Sequence, residues 1–236
     1  MEPKDHYLVS ERRSIFALLT LSAGMMGAYT YVLRGGVFCN AQTANIVKMA
    51  ISFGQEDWAR GGYYLIPIFA YMAGAFLSEL LPSSVRRFGF LRWDSYLVCF
   101  EWVVLFLIGF IPLTWPHQVV QVMVNFIASM QYNTFRQAEG IPMSTTFCTN
   151  QVRQVGIGFA KVVRKHDHNA LHRAFFFLTM LGCFFSGGFL STLACHLTTE
   201  KAIWIALIPL GIVMIRLIHA DLIDEKGMLA RKPSGH

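Results

Sequence analysis

Hydrogen-bonding side chains recur in two short stretches of the sequence that are otherwise apolar, residues 38–53 and 147–160. Amides and hydroxyls both donate and accept hydrogen bonds, and an arginine adds charge-assisted bonds, so such groups suit a small polar or anionic solute. The predicted substrate-binding set, which adds two amides at 131 and 133, is Asn40, Thr43, Asn45, Gln131, Asn133, Thr149, Gln151 and Arg153. The alternative is that these groups hold helices together, because a polar side chain in an apolar environment needs a partner.

Three charged residues in apolar surroundings refine this hypothesis. Lys48 and Arg153 lie inside the two stretches and favour an anionic ligand, unless their long side chains reach the membrane surface instead. Glu101 lies inside an apolar segment, and a buried carboxyl group can carry a proton in a coupled transporter. It is the candidate for proton coupling; the alternatives are an ion pair with Arg87, Arg92 or Arg153, or a position at the interface.

The composition of the chain indicates a membrane protein. Hydrophobic residues make up 54% of the chain and charged residues 14%, and the mean hydropathy is +0.44. A soluble domain has about 25% charged residues, so a soluble enzyme and a disordered chain are both excluded. With so few charges, the net charge of +6 is better explained by basic membrane flanks than by nucleic-acid binding. The predicted partner is the lipid bilayer.

Six segments are long and apolar enough to be transmembrane helices, because about 20 residues cross the hydrocarbon core. They are residues 14–33, 61–78, 95–113, 117–135, 174–197 and 202–219. If the two polar stretches do not cross, most Lys and Arg residues fall on the side of the N-terminus, which the charge rule makes cytoplasmic, together with the C-terminus. An eight-helix arrangement, in which both polar stretches cross, is the alternative.

The sequence also repeats itself at a nearly constant offset. Residues 69–78 match residues 177–186 at five of ten positions, residues 23–25 match 128–130, and Thr43 corresponds to Thr149. Halves of three spans each must have opposite orientations in the membrane. The predicted fold class is therefore an all-α polytopic membrane helix bundle, a single transmembrane domain over residues 1–236. It contains two inverted repeats of three spans each (14–113 and 117–219), with a short polar helix or re-entrant segment in each repeat.

Motifs for other chemistry are missing from the sequence. There is no G-x-S-x-G, H-E-x-x-H or P-loop pattern, and the five cysteines contain no C-x-x-C pair. His166, His168 and His172 lie close together, but no carboxylate or cysteine cluster completes a metal-ligand set. We predict no catalytic residue, no cofactor and no metal, and hence no enzyme.

Three motifs resemble those of a known family. The segment at 35–45, G-G-V-F-C-N-A-Q-T-A-N, resembles the "GGVF…N-x-T-G-N" segment of the YoaK family of bacterial membrane proteins. Residues 130–136 are similar to its "G-x-Q-N-a-x-x-R", and residues 144–151 to its "S-T-T-y-V-T-G-T". The similarity covers residues 14–220. Ala44 and Asn150 replace the glycines of the T-G pairs, and Gly27 stands near a frequent aspartate.

The YoaK family is one of six-span proteins of unknown function. The resemblance therefore implies a multi-pass protein of the bacterial plasma membrane, and a transporter by size and shape, but no substrate. The leading hypothesis is a secondary transporter or channel for a small polar or anionic metabolite, the small-molecule solute. A non-transporting scaffold or assembly factor is the alternative. A homodimer is compatible with either, because six spans enclose only a narrow pore.

Overall fold

The computed structural model describes residues 7–85 and 89–229, and the protein is all-α, with 80% of its residues helical. The helices are α1 (Arg13–Leu33), α2 (Gln42–Gly54), α3 (Trp58–Val85), α4 (Trp93–Ile108), α5 (His117–Thr134), α6 (Thr149–Lys165), α7 (His168–Thr198) and α8 (Leu207–His219). Short helical turns are found at Val9–Glu11, Thr199–Ala206, Ala220–Asp224 and Lys226–Met228. Two-residue strands β1 (Gln137–Ala138) and β2 (Ile141–Pro142) form an antiparallel hairpin in which Ala138 pairs with Ile141.

Three helical segments of the described chain are long and apolar enough to cross a membrane: Arg13–Leu33, Trp58–Pro82 and His168–Asp224. They contain four of the six predicted spans, the last two within one continuous run. The predicted spans at 95–113 and 117–135 are helical as α4 and α5 but do not meet this criterion. The helical, apolar segments are those of a membrane protein.

The long helices run in alternating directions through the bundle. Tyr63, near the start of α3, contacts Gln121, near the start of α5 (2.5 Å between Oη and Nε2). Ser78 and Asn133, toward the ends of the same helices, are also bonded (2.9 Å). The helices α3 and α5 are therefore parallel. Gln121 Nε2 also donates to the carbonyl oxygen of Arg34, so α3 and α5 both start at the end of the bundle where α1 ends.

The remaining helices follow the same two directions. The Arg13 guanidinium lies over the Phe176 ring (5.0 Å), so α7 starts beside the start of α1. Arg92, before α4, contacts Asp221, after α8, while Trp204, before α8, donates to Phe106 in α4. The helices α1, α4 and α7 begin at one end of the bundle, which we call the first face. The helices α3, α5 and α8 begin at the opposite end, the second face.

Two glycines let the backbones of α1 and α7 touch. A Cβ atom at Gly24 would collide with the carbonyl oxygen of Phe184, and one at Gly187 would collide with that of Leu21. Ser191 adds a hydrogen bond to the carbonyl oxygen of Met25 (2.9 Å). Small residues at helix crossings are typical of membrane bundles, where close packing replaces the hydrophobic driving force.

We expect Gly24→Leu to lower the free energy of unfolding by about 3 kcal/mol or more, because overpacking costs about 1–3 kcal/mol and here the obstacle is backbone. The matched control is Gly182→Leu on α7, where an added Cβ atom would have no atom of the described residues within 4 Å. Thermal unfolding in detergent measures both. Equal behaviour of the two variants would contradict this packing.

The helices α2 and α6 occupy the two polar stretches of the sequence. They begin at Gln42 and Thr149, four and two residues after the predicted starts at 38 and 147, because buried non-helical loops precede them. With 13 residues, α2 is about 20 Å long at 1.5 Å per residue, too short to cross a core of about 30 Å. Pro112 and Pro116 lie in the turn between α4 and α5, where proline disfavours a continuous helix.

Candidate functional site

Two buried loops lead into α2 and α6 and both reach the middle of α1. In the first loop, Asn40 Nδ2 donates to the carbonyl oxygen of Ala23 (3.3 Å). Gln131 on α5 donates to the carbonyl oxygen of Leu19 (3.4 Å) and to Thr145 Oγ1 in the second loop (3.1 Å). The two loops therefore approach each other in the interior of the bundle.

The short helices leave this interior in opposite directions. Phe53 near the end of α2 packs against Trp58 at the start of α3, on the second face (5.3 Å between ring centroids). Phe159 on α6 packs against Phe175 on α7, toward the first face (6.4 Å). Both helix N-termini thus point toward the middle of the bundle, and both carry the positive end of the helix dipole. Near these N-termini, Asn45 and Gln151 are buried while Thr43 and Thr149 are exposed.

Neither of these N-termini is neutralised within the part of the chain that the structure describes. No side chain there caps α2 or α6, and neither first turn contains Asp or Glu. The first N–H groups of a helix have no intrahelical acceptor, so an uncapped N-terminus can bind an anion or a polar oxygen.

Equivalent hydrogen bonds from two side-chain amides close the two loops. Asn45 Nδ2 donates to the carbonyl oxygen of Phe38 (2.7 Å), and Gln151 Nε2 donates to that of Ser144 (2.6 Å). Each bond joins a residue to the seventh residue before it, and corresponding partners are 106 positions apart, the offset at which Thr43 and Thr149 correspond. The amide nitrogen atom of each side chain therefore holds its own loop in place.

Three buried oxygen atoms beside the second loop have no hydrogen-bond partner among the described residues. They are Gln131 Oε1, Gln151 Oε1 and Thr146 Oγ1, on side chains that are fully buried. Tyr71 on α3 lies near Thr146 without satisfying it. A buried polar group without a partner costs about 1–3 kcal/mol, so water or a solute that bonds to these atoms would be stabilised.

Four predicted site residues lie at the edge of this arrangement or outside it. Thr43 and Thr149 are in the first turns of their helices but are exposed. Arg153 is exposed and donates to Asn150 Oδ1 (2.7 Å). Asn133 lies at the first face, where its Nδ2 donates to Ser78 Oγ (2.9 Å). The other four, Asn40, Asn45, Gln131 and Gln151, are buried at or beside the two loops.

Three polar residues near the loops were not predicted as site residues. Gln42 Nε2 donates to Asn125 Oδ1 (2.8 Å) and joins α2 to α5, and Tyr71 faces the second loop. The spacing of Gln121 and Asn125 in α5 was a usable signal, because residues four apart share a helix face. The position of Tyr71 had no comparable signal.

Glu101 is fully buried in α4, and neither carboxylate oxygen has a hydrogen-bond partner among the described residues. Arg92 is bound instead to Asp221 and Glu225, and Arg153 to Asn150. Arg87 lies outside the described residues. Burying an unpaired charge is costly, so this position favours the neutral carboxylic acid.

Within residues 7–85 and 89–229, no three His, Cys, Asp or Glu side chains are placed to hold a metal ion. His166, His168 and His172 lie at the junction of α6 and α7 near the first face, and His166 and His168 are exposed.

Comparison with known proteins gives a family but no activity. No curated protein and no solved structure matches the chain. The resemblance to the YoaK family is compatible with the family match but is not confirmed by it. A family model with the description "Protein of unknown function (DUF1275)" matches residues 15–216, most of the chain. The protein therefore belongs to the DUF1275 family.

Proposed function

We propose that this membrane protein is a small secondary transporter or channel for a small polar or anionic metabolite, and not an enzyme. The observation that carries the proposal is the pair of uncapped helix N-termini that point toward the interior, together with three unpartnered oxygen atoms beside the second loop. The N–H groups suit an anionic or carbonyl oxygen, and the oxygen atoms accept from hydroxyl or amino groups. Discontinuous helices of this kind form the solute sites of many transporters.

The contacts between helices support the proposal of two inverted repeats, residues 14–113 and 117–219. If α1 to α4 correspond to α5 to α8, the extensive α1–α7 interface corresponds to the α3–α5 interface. The α2–α3 pair corresponds to the α6–α7 pair, and the α4–α8 pair corresponds to itself. Equivalent helices begin at opposite faces, as an axis in the membrane plane requires. The proposed architecture has six spans and two re-entrant segments.

The distribution of charge supports a plasma-membrane orientation with both termini in the bacterial cytoplasm, as the charge rule requires. The described basic residues at the first face are Arg12, Arg13, Arg92, Arg136, Lys161, Arg164, Lys165, Arg173, Arg216 and Lys226. Those toward the second face are Arg34, Lys48, Arg60 and Lys201, and Arg153, near the start of α6, is assigned to neither face. Lys4, Arg86, Arg87, Arg231 and Lys232 lie outside the described residues.

One observation favours the second candidate function, a non-transporting scaffold or assembly factor. The amide nitrogens of Asn45 and Gln131 already have protein acceptors, as they would if they only joined helices and loops. Under this alternative the first-face residues or a second copy of the chain in a homodimer would provide the function.

A screen of the purified protein tests the proposal directly. A ligand that binds only the folded state stabilises it by mass action, so a transported metabolite should raise the unfolding temperature at millimolar concentration. Hits are then tested for uptake by proteoliposomes. If no small polar or anionic metabolite raises the unfolding temperature or enters the vesicles, the scaffold alternative is preferred.

The buried carboxyl group of Glu101 leads to a separate prediction. We expect Glu101→Gln to unfold within about 1 kcal/mol of the wild-type protein, because a neutral amide has nearly the shape of the neutral acid. The same variant should lose the dependence of uptake on the pH gradient while still binding solute. Proton-coupled uptake at the wild-type rate in Glu101→Gln would exclude this carboxyl group as the proton carrier.

A further inference from the structure

A basic cavity of about 310 Å³ lies between α6 and α7, near the first face. Three cationic side chains line it, Arg153, Lys161 and Arg173, and its described lining contains no Asp or Glu. Asn150 Oδ1 accepts from Nε (3.2 Å) and Nη2 (2.7 Å) of Arg153 and holds the guanidinium beside the cavity. The cavity therefore concentrates positive charge that no acidic side chain of its described lining compensates.

Phosphate groups match this charge and its donors. Guanidinium groups bind phosphate through paired N–H···O bonds, and a lysine ammonium adds a compact positive charge. An anion placed among three cations also offsets the repulsion between them.

Apolar side chains complete the cavity. Ile157 and Phe177 line it, and Ile157 is 37% exposed. Phe159 and Val163 are 41% and 82% exposed but lie on another side of α6, because side chains two and six positions after Ile157 point away from it on a helix. A basic helix with an exposed apolar side is typical of a segment that lies in the headgroup region of a bilayer.

We propose that this cavity binds the phosphate headgroup of an anionic phospholipid, with the start of an acyl chain against Ile157 and Phe177. Arg153, which the sequence assigned to the solute site, belongs to this second site. The two sites are independent, because the lipid site requires neither transport nor movement of the loops. A soluble phosphate compound would share the headgroup chemistry but would gain nothing from contact with Ile157 and Phe177.

The test is thermal unfolding of the full chain in neutral detergent with added phosphatidylglycerol, with phosphatidylcholine, with glycerol phosphate or with inorganic phosphate. We expect phosphatidylglycerol alone to raise the unfolding temperature of the wild-type protein. In Arg153→Gln/Arg173→Gln its apparent affinity should fall about tenfold or more, since each basic group contributes substantially to binding of an anionic headgroup. The matched control is Arg164→Gln/Lys165→Gln, which loses the same charge from the end of α6 outside the cavity and should keep the wild-type response.

Three results would overturn the proposal. The wild-type protein could show no response to phosphatidylglycerol, or both double variants could lose the response equally, which would indicate a diffuse surface effect. Glycerol phosphate or inorganic phosphate could match phosphatidylglycerol, which would indicate a site for a soluble anion. If the cavity double variant does not fold, Lys161→Gln and Arg173→Gln are each compared with Lys165→Gln, and an equal response in all three contradicts the site.

Discussion

Replacing Arg92 by methionine is expected to lower the free energy of unfolding by about 3–5 kcal/mol, the cost of breaking a buried ion pair from one side. The Arg92 side chain is 4% exposed, and its Nε lies 2.7 Å from Asp221 Oδ1. Its Nη2 binds the carboxylate of Glu225, and the backbone N–H of Val9 donates to the same carboxylate (2.8 Å). The substitution would leave carboxylates buried without a counter-charge, at the point that joins the N-terminal segment, α4 and the end of α8.

The guanidinium of Arg92 is charged at any pH used for such a measurement. Burial acts to lower the pKa of Arg92, but the carboxylates of Asp94, Asp221 and Glu225 outweigh burial and raise this pKa above its ordinary value. The control is Glu79→Gln, whose carboxylate is 66% exposed in an ion pair with Arg136. An exposed pair contributes about 0–1 kcal/mol, so this variant should unfold almost like the wild-type protein. Equal losses of unfolding free energy in Arg92→Met and Glu79→Gln would show that the ion pairs of Arg92 do not stabilise the fold more than an exposed ion pair does.

Thr146→Val is expected to reduce solute binding and uptake about tenfold without lowering the stability of the protein. Thr146 is fully buried, and its Oγ1 has no hydrogen-bond partner among the described residues, so removing it relieves an unsatisfied polar group. If the solute bonds to this oxygen, the variant loses one hydrogen bond of about 1 kcal/mol or more only when solute is present. Unfolding in detergent and uptake by proteoliposomes measure the two effects separately.

Thr145→Val is the matched control at the adjacent position. Thr145 Oγ1 accepts a hydrogen bond from Gln131 Nε2 (3.1 Å), so its removal should destabilise the protein by about 1–3 kcal/mol. If Thr146→Val instead unfolds as early as Thr145→Val, Thr146 serves to hold the loop. If Thr146→Val transports at the wild-type rate, the oxygen is not part of a solute site.

The helical segments follow from the sequence, but their ends do not. Hydropathy places the ends where charged residues begin, whereas the helices continue into the aqueous layer. Asp167 Oδ1 accepts from the backbone N–H groups of Asn169 and Ala170, so α7 begins at His168 instead of the predicted 174. In contrast, α4 ends at Ile108 and not at the predicted 113, because Pro112 disfavours helical backbone at the residue before it.

Half of the predicted site residues are buried at the loops and half are not, for a reason of helical geometry. Residues two apart on a helix point to different sides, so the predicted pairs 43/45, 131/133 and 149/151 could not all line one site. The structure buries Asn45, Gln131 and Gln151. The other members of the pairs are not buried: Thr43 and Thr149 are exposed, and Asn133 lies at the first face. Deciding between the members requires the rotation of each helix, which packing against neighbouring helices sets.

The departure at Gly27 from the family motif has a similar explanation. A Cβ atom at Gly27 would lie 3.0 Å from Asn40 Nδ2. The missing side chain therefore makes room for Asn40, which reaches past it to the carbonyl oxygen of Ala23. Gly27 and Asn40 are 13 positions apart in the sequence, in α1 and in the loop that follows it. Their spacing alone does not reveal that they lie side by side.

The most direct test of the solute site is the reactivity of a single cysteine, Thr146→Cys, in a variant whose five native cysteines are replaced by alanine. In the folded, reconstituted protein we expect a small polar thiol reagent to label this cysteine, and a transported solute to slow the labelling. The control is Ala206→Cys, a fully buried position in the apolar core, which should remain unlabelled. Labelling of Thr146→Cys only after denaturation, as for Ala206→Cys, would mean that the interior between α2 and α6 is dry and would contradict the transport proposal.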